Sequence, residues 1–296
     1  MPTQILTLLN RPSLDAPAHA EGAPAFSLAD PAEPQLSVLD LAATRGDGIF
    51  ETLSVGGGHP QALEHHLRRF ARSAAMLDLP APDLDTWRAA IHATIAALEP
   101  VGEAWVKTVM TRGVEGSGIP TGWAFGTLSP DFTKDRTEGV RVSLLDRGYR
   151  HDVEQTSPWL LAGAKTLSYA VNRAAVREAV RRGDDEVIFV SSDGIVLEGP
   201  TSTVIYRRGD HLLTPGTGLG ILDGTTQANV FRYAESAGLT TAFELTTPDV
   251  LRAADAAWLV SSVRHFAPIR AIDAVERAVD TEFTADVNAW LGALRE

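Results

Sequence analysis

The stretch from Ser157 to Tyr206 constrains the fold of this chain more than any other. It runs through the small apolar segment LLAGA, a helical pattern, the buried-strand run EVIFV and a Ser-Asp-Gly turn that leads into IVLEG. Lys165 lies between the apolar segment and the predicted helix. The apolar positions of that helix are Leu167, Val171, Ala175 and Ala179.

Lysine is rare in this chain, and only Lys107, Lys134 and Lys165 occur among its 296 residues. Lys134 sits in the polar segment DFTKDRTEG, which is typical of a solvated loop, and Lys107 lies in the strand-like AWVKTVM. A lysine between an apolar run and a helix start can be partly desolvated, which frees its amine for Schiff-base chemistry. The alternative for Lys165 is a surface lysine that caps a loop.

Glu198 follows directly after Ile195, Val196 and Leu197, at the end of a predicted apolar strand. A carboxylate in such a place needs a partner. A protonated cofactor nitrogen would be one, and the carboxylate would keep the ring cationic as an electron sink. An exposed glutamate at the end of a strand is the alternative.

Several separated motifs together carry a family resemblance. The segments RGDGIFETL, KTLSYAVN, DDEVIFVSSDGIVLEGPTSTV and LLTPGTGLGILDGTT closely resemble the class IV aminotransferases, the fold type IV pyridoxal-phosphate enzymes. The resemblance covers roughly Gly46 to Asp273. It implies an α/β (α+β) two-domain fold with pyridoxal 5'-phosphate in the interdomain cleft, and a homodimer in which the partner completes each cleft.

The resemblance assigns cofactor-binding roles by position. Lys165 would form the Schiff base, Glu198 would face the ring nitrogen, and Tyr169 would approach the phenolic oxygen. The helix N-terminus after the glycine-rich loop suits a phosphate, although threonine there is also a common structural cap. Leu222 would pack on the ring, and the residues assigned to the phosphate are Arg69, Gly224, Thr225, Thr226 and Ser262. A solvated helix face is the alternative for Arg69.

The predicted substrate residues are Lys107, Arg112 and Arg264. The position of Lys107 resembles one that is arginine in branched-chain aminotransferases and lysine in 4-amino-4-deoxychorismate lyases. The Arg-x-His carboxylate trap of D-amino-acid aminotransferases has no counterpart in GVEGSGIPTG, and Ser117 occupies roughly the place of an arginine expected in a lyase. Arg264 would attract a substrate carboxylate at the mouth of the cleft, and an ordinary surface arginine is the alternative.

Through Lys107 and the KTLSY motif, the resemblance implies a 4-amino-4-deoxychorismate lyase, which eliminates pyruvate and leaves 4-aminobenzoate. The alternative is a transaminase that acts on small amino acids (branched-chain or D-amino acids) or amines with a keto-acid acceptor. A cofactor-free binding protein on the same fold is a third hypothesis. Intact Lys165 and Glu198 argue against it.

Composition and missing motifs exclude other classes. A net charge of −12 disfavours nucleic acid and anionic membranes as partners, and the absence of cysteine suits the reducing cytoplasm. No apolar run reaches the length of a membrane span, and we expect no signal peptide because the start lacks a basic region. The chain has no G-x-S-x-G element, no histidine and carboxylate pattern at metal-ligand spacing, and no dinucleotide glycine fingerprint.

The predicted domains are a smaller N-terminal α/β domain over residues 1–145, a connector over 146–164, and a larger C-terminal cofactor-binding domain over 165–296. The strand GVRVSLLDR is expected to close the first domain, and residues 16–34 to form an extended surface segment or insertion. Apolar periodicity also predicts a strand over 49–55 and helices over 62–78, 83–98 and 284–294.

Overall fold

A computed structural model describes residues 2–99 and 102–295 of the chain. The described residues form two compact units, and each unit is built around its own sheet. The first unit comprises Met1–Pro130, Ala164–Tyr169 and Leu294–Glu296. The second comprises Asp131–Gly163 and Ala170–Ala293.

The first unit contains an antiparallel sheet whose strand order, among the described residues, is β2-β1-β6-β5-β3-β4. Its strands are β1 (Gln4–Leu9), β2 (Phe26–Ala29), β3 (Gly48–Gly56), β4 (His59–Pro60), β5 (Glu103–Thr111) and β6 (Thr121–Leu128). Its helices are α1 (Leu41–Arg45), α2 (Leu63–Met76) and α3 (Leu84–Ala97). The predicted strand over 49–55 and the helices over 62–78 and 83–98 are therefore confirmed.

The core of the first unit lies between one face of this sheet and the helices α2 and α3. On β3, Ile49 and Leu53 are fully buried because they alternate onto that face. Phe70 of α2 and Trp87 of α3 are also buried and meet edge to face, with their ring centroids 4.9 Å apart. Each of these large side chains contributes about 1.5–3 kcal/mol of burial free energy.

The second unit contains a mixed sheet in the order β11-β10-β9-β12-β13-β7-β8 within the described residues, with β14 beside β13. Its strands are β7 (Val140–Asp146), β8 (Glu186–Val190), β9 (Thr203–Arg208), β10 (His211–Pro215), β11 (Thr240–Glu244), β12 (Ala256–Ser261), β13 (His265–Ile272) and β14 (Val275–Glu276). Its helices are α4 (Thr133–Thr137), α5 (Val153–Thr156), α6 (Ala170–Arg182), α7 (Thr225–Ser236), α8 (Pro248–Ala253) and α9 (Thr281–Ala293).

The strand β7 does not close the first unit, so the expectation for GVRVSLLDR is wrong. It pairs in parallel with β13 and with β8, and its residues Val140 and Val142 are buried in the core of the second unit. The first unit therefore ends at Pro130 rather than at residue 145. An apolar strand pattern shows that a strand exists, but not which sheet it joins.

The segment around Lys165 also differs from the prediction. The helix α6 begins only at Ala170, so Leu167 precedes it, and Lys165 belongs to the first unit rather than to the C-terminal domain. Ala175 and Ala179 are buried as predicted, whereas Val171 is 56% exposed. Residues 165–167 pair with β3 through an isolated bridge at Thr166, which local periodicity does not reveal.

Two other segments differ from their predictions, one because it is less regular and the other because it is more regular. The residues around Glu198 form no regular strand; they pair with β8 through an isolated bridge between Val190 and Val196 and through the amide of Phe189, which donates to the Glu198 carbonyl. Residues 16–34 contain the edge strand β2, which pairs with β1. Among the described residues, no helix has the length and apolar character needed to cross a membrane.

The turn after β5 gives a test of the fold of the first unit. Gly113 and Gly116 both have positive φ, but only at Gly113 would a Cβ atom collide with main chain, 1.9 Å from the Ile119 oxygen. We expect Gly116→Ala to cost about 1 kcal/mol through backbone strain alone. Gly113→Ala should cost about 1–3 kcal/mol more, because the turn must also move.

Urea unfolding of both variants, followed by circular dichroism, measures the difference. Equal losses in free energy of unfolding would contradict the close packing of this turn.

Candidate active site

Lys165 is positioned by main-chain pairing along the edge of β3. The amide of Phe50 donates to the Lys165 carbonyl at 3.0 Å, and the amide of Leu167 donates to the Gly48 carbonyl at 2.8 Å. On the helix side, the Lys165 amide donates to the hydroxyl of Ser73 on α2 at 3.1 Å. These hydrogen bonds fix the backbone from which the amine extends.

Gly48 allows this segment to approach β3 closely. A Cβ atom at residue 48 would lie 2.8 Å from Cδ1 of Leu167 and 2.8 Å from the carbonyl oxygen of Met110. Real Cβ atoms do not reach such distances, so any side chain here would displace either the Lys165 segment or β5. Glycine at this position is therefore a requirement of the site and not only of a turn.

Two lysine amines lie over the same aromatic ring in the first unit. Nζ of Lys165 is 4.5 Å from the ring centroid of Phe50, and Nζ of Lys107 is 5.6 Å from the same centroid. Lys107 also lies 5.6 Å from the ring of Trp105. The ring of Tyr169 meets Phe50 edge to face at 5.4 Å. The aromatic ring of Phe50 attracts both cations.

Lys107 is half-buried at the middle of the sheet. It is paired across strands with Thr52 of β3 and with Phe125 of β6. This burial lowers the pKa of Lys107 from its ordinary value. A partly desolvated ammonium gains more from a carboxylate than an exposed one does, because water screens the attraction less.

Arg69 makes a bidentate ion pair with Glu51, through Nε and Nη2, with both distances 2.7 Å. His66, one helical turn earlier on α2, places Nδ1 2.7 Å from Oε2 of the same carboxylate. Glu51 and His66 are 1% and 2% exposed. Arg69 therefore faces the sheet and is held in a fixed orientation, and it is not a residue of a solvated helix face.

The charge state of this cluster follows from its contacts. Burial alone would raise the pKa of Glu51, but the charge and hydrogen bonds of Arg69, together with His66, outweigh it and hold that pKa well below its usual range. Burial lowers the pKa of His66 and outweighs its bond to Glu51. At neutral pH, Glu51 is therefore ionised, and a neutral His66 donates to it from Nδ1.

In the second unit, three hydroxyl groups meet at the start of α7. Oγ1 of Thr225 and Oγ1 of Thr226 each lie 3.3 Å from Oγ of Ser262. The residue before the helix is Gly224, which makes no side-chain capping bond, and a Cβ there would lie 2.6 Å from Oγ1 of Thr203. Hydroxyl donors and a positive helix end together fit a phosphate group, and the residue before the helix must be small because a Cβ would collide with Thr203.

Glu198 is also fixed in the second unit. Its Oε2 accepts a hydrogen bond of 3.2 Å from the amide of Leu222. This bond joins the two residues that were predicted to contact the cofactor ring. A carboxylate held by a main-chain donor keeps its orientation, as a partner for a ring nitrogen would need to do.

The two arginines predicted to bind substrate have protein partners. Arg112 forms a bidentate pair with Asp47, at 2.7 and 3.2 Å, and donates to the Leu77 carbonyl at 2.7 Å. Arg264 is only 8% exposed; its Nη1 donates to Oε1 of Glu186 at 3.0 Å. Both guanidinium groups thus contribute to the packing of their own units, and their contact with substrate stays a prediction.

The sequence reasoning missed Phe50, Glu51, His66 and Ser73 as parts of the site. A signal for Glu51 was present, because it alternates with Ile49 and Leu53 on an apolar strand face, and a buried carboxylate needs a partner. The other three could be found only from the pairing of β3 with the Lys165 segment and with α2. In the part of the chain that the structure describes, no group of histidine and acidic residues could hold a metal ion.

Comparison with known proteins agrees with this geometry. The profile of the class IV amino-transferase family matches residues 48–272, and the chain therefore belongs to the class IV aminotransferase family. A bifunctional aminodeoxychorismate lyase / D-amino acid transaminase from Mycobacterium tuberculosis is 42% identical over 255 residues, which cover 82% of this chain and 88% of that protein.

Solved structures show the same fold. A fold IV-transaminase from Curtobacterium pusillum superposes with a TM-score of 0.95 at 53% identity, covering 99% of this chain and 98% of that one. The PLP-bound form of a hypothetical aminotransferase from Mycobacterium tuberculosis gives a TM-score of 0.88 at 36% identity, with 97% and 98% covered. The chain is thus a fold type IV enzyme with pyridoxal phosphate as its cofactor, and the predicted family, fold and cofactor are confirmed.

Replacement of Lys165 by alanine tests the role of its amine. We expect Lys165→Ala to lose covalent attachment of pyridoxal phosphate, because no amine remains over Phe50 at that position. Borohydride reduction followed by mass spectrometry detects the attached group. Lys134→Ala, which changes an exposed lysine on α4, should still be labelled at Lys165. Undiminished labelling of Lys165→Ala would refute the assignment.

The buried His66 predicts an acid-sensitive first unit. Its pKa is lowered in the folded state, so the unfolded chain binds a proton first as pH falls below about 6.5. Stability is therefore complete above that pH and falls below it, by up to about 1.4 kcal/mol per pH unit. Glu51, whose pKa is also lowered, adds a loss only below about pH 4.5.

Urea unfolding between pH 7 and pH 5 isolates the histidine effect. His66→Gln should flatten the pH dependence, whereas replacement of the exposed neighbour, His65→Gln, should leave it as in the wild type. The same slope in His66→Gln and in the wild type would show that His66 is not buried in its neutral form.

Proposed function

We propose that this enzyme converts 4-amino-4-deoxychorismate into 4-aminobenzoate and pyruvate. The observation that carries the proposal is the position of Lys107, whose ammonium lies over the same Phe50 ring as the amine of Lys165. A second cation over the same ring as the reacting amine suits a substrate that carries carboxylate groups. Resemblance to lyases with lysine at this position supports the choice, as does the name of the relative from Mycobacterium tuberculosis.

Each unit carries residues to which we assign a role toward the cofactor. Lys165 would bind it covalently, with Tyr169 nearby in the first unit. Glu198 would pair with the ring nitrogen, and Leu222 would pack on the ring. The residues proposed for the phosphate are Arg69, Gly224, Thr225, Thr226 and Ser262. When bound, pyridoxal phosphate supplies an electron sink next to the substrate amine.

The chain's own groups would orient the substrate and move protons. The ammonium of Lys107 would bind a substrate carboxylate and set the orientation of the substrate against Phe50. The amine of Lys165 would take the proton from the carbon that carries the substrate amine. The C–O bond to the neighbouring enolpyruvyl group would then break to give the aromatic product, and the proton held by Lys165 would be returned to the released enolpyruvate to give pyruvate. This elimination consumes no keto acid.

Transamination is a second candidate function. The protein from Curtobacterium pusillum at 53% identity is named a transaminase, and the relative from Mycobacterium tuberculosis is named for both activities. The same residues would serve: Lys165 would move the proton, and Lys107 would bind the carboxylate of the amino acid donor. A keto acid would then be required as acceptor.

Two further properties belong to the proposal. We place the enzyme in the cytoplasm, in keeping with a chain of 296 residues that has no cysteine. We also propose that it acts as a homodimer, as the family resemblance implies. Gel filtration with light scattering would test the second point.

A turnover assay separates the two reactions. Purified, cofactor-loaded enzyme is given 4-amino-4-deoxychorismate with no keto acid, and pyruvate is measured per site. Many equivalents would support the lyase. Conversion of a single equivalent of an amino donor, which resumes only when a keto acid is added, would support the transaminase. No product under either condition would overturn both proposals.

Lys107→Met tests whether the ammonium of Lys107 binds a substrate carboxylate. Methionine keeps much of the apolar bulk between Phe50 and Trp105 but removes the charge. We expect KM for the carboxylate substrate to rise about tenfold or more, because one charge-assisted hydrogen bond is lost. Lys107→Arg should recover part of the loss, and Lys134→Met should behave as the wild type. An unchanged KM in Lys107→Met would show that Lys107 does not bind the substrate.

A further inference from the structure

Ser262 lies on a tight loop between β12 and β13, and this loop has an unusual backbone. The residue that follows it, His265 at the start of β13, has φ of +65°, a left-handed conformation that a non-glycine residue adopts at a cost. Such strained positions persist only where neighbouring groups hold them, and they cluster at functional sites. The contacts that hold residues 262–265 in place are therefore relevant to how Ser262 presents its hydroxyl.

Arg136 of α4 binds the main chain of this loop directly. Its Nε donates to the Arg264 carbonyl at 2.9 Å, and its Nη2 donates to the Val263 carbonyl at 3.2 Å. These are the second and first carbonyls after Ser262. A guanidinium suits the task because its planar fork offers parallel donors in a fixed geometry.

The side chain of Arg264 forms a second tether. It is 8% exposed, and its Nη1 lies 3.0 Å from Glu186 of β8 and 3.6 Å from Asp135, which precedes Arg136 on α4. The loop is thus held through its main chain by Arg136 and through its side chain by acidic neighbours. The short helix α4 contributes to both tethers.

The consequence for Ser262 is geometric. Its Oγ lies 3.3 Å from the hydroxyl oxygens of both Thr225 and Thr226, so the three groups can converge on one phosphate. Hydrogen bonds weaken steeply with small changes in distance and angle, and a loop that relaxed would withdraw one donor. We propose that Arg136 is a positioning residue that holds Ser262 against the two threonines for phosphate binding. This inference rests on the phosphate assignment made under the proposed function.

Pyridoxal, which lacks the phosphate, separates this role from a general structural one. Replacing a residue that only supports the fold would weaken the binding of both pyridoxal phosphate and pyridoxal. Replacing a residue that positions the phosphate donors would weaken only the binding of pyridoxal phosphate. The ratio of the two dissociation constants is therefore the readout.

Arg136→Ala is compared with Arg270→Ala. Arg270 of β13 also donates to a main-chain carbonyl of the second unit, that of Gly139 at 3.2 Å, and so provides a matched control. Binding is titrated by absorbance for both ligands on the full-length protein. We expect Arg136→Ala to raise the dissociation constant of pyridoxal phosphate about tenfold and to leave the dissociation constant of pyridoxal unchanged. Arg136→Lys should recover part of the loss, and Arg270→Ala should keep the wild-type ratio.

A ratio in Arg136→Ala equal to that of the wild type would overturn the inference, as would equal weakening of both ligands. If Arg136→Ala does not fold, Arg136→Lys and Arg136→Gln are judged by the same ratio, with the glutamine variant expected to lose more. A wild-type protein that binds pyridoxal phosphate no more tightly than pyridoxal would instead overturn the phosphate assignment itself. The two failures are therefore distinct.

Discussion

The pairing of residues 165–167 with the edge of β3 is the interaction on which the rest of the site depends. β4 covers this edge only at Val55 and Gly56, which leaves the other end of β3 open to the Lys165 segment. Gly48 makes the approach possible, since a larger residue would collide with Leu167 and with β5. One main-chain register thus sets which side of Phe50 the amine reaches. A shift by one residue would turn Lys165 away.

The charges of the first unit are arranged around the same strand. Successive residues of β3 point to opposite faces of the sheet. Glu51 faces α2, where Arg69 and a neutral His66 satisfy it, while Phe50 lies beneath the amines of Lys165 and Lys107. The ion pair between Arg69 and Glu51 is buried, so removing either partner would leave the other charge buried without a counterion. Such a loss typically lowers the free energy of unfolding by about 3–5 kcal/mol. The Phe50 ring thus has two cations over it, Lys165 and Lys107.

Much of the enzyme could be predicted from the sequence, and the failures have a common physical cause. Local patterns indicated α2, α3 and the strand that carries Glu51, and separated motifs indicated the family through Lys165 and Glu198. The sheet to which β7 belongs, and the unit to which Lys165 belongs, depend on pairing between residues far apart in the chain. Periodicity within a segment contains no information about its partner. The hydrogen bond from Arg136 to the loop after Ser262 could not be predicted from the sequence for the same reason.

Amide hydrogen exchange at Phe50 and Leu167 in the cofactor-free enzyme tests the central claim most directly. Both amides donate across the pairing between β3 and the Lys165 segment, so their exchange reports on that pairing alone. We expect both to be protected to the same degree as the amides between β3 and β5. Rapid exchange at both positions, with β3 and β5 still protected from each other, would show that β3 does not hold Lys165 in place.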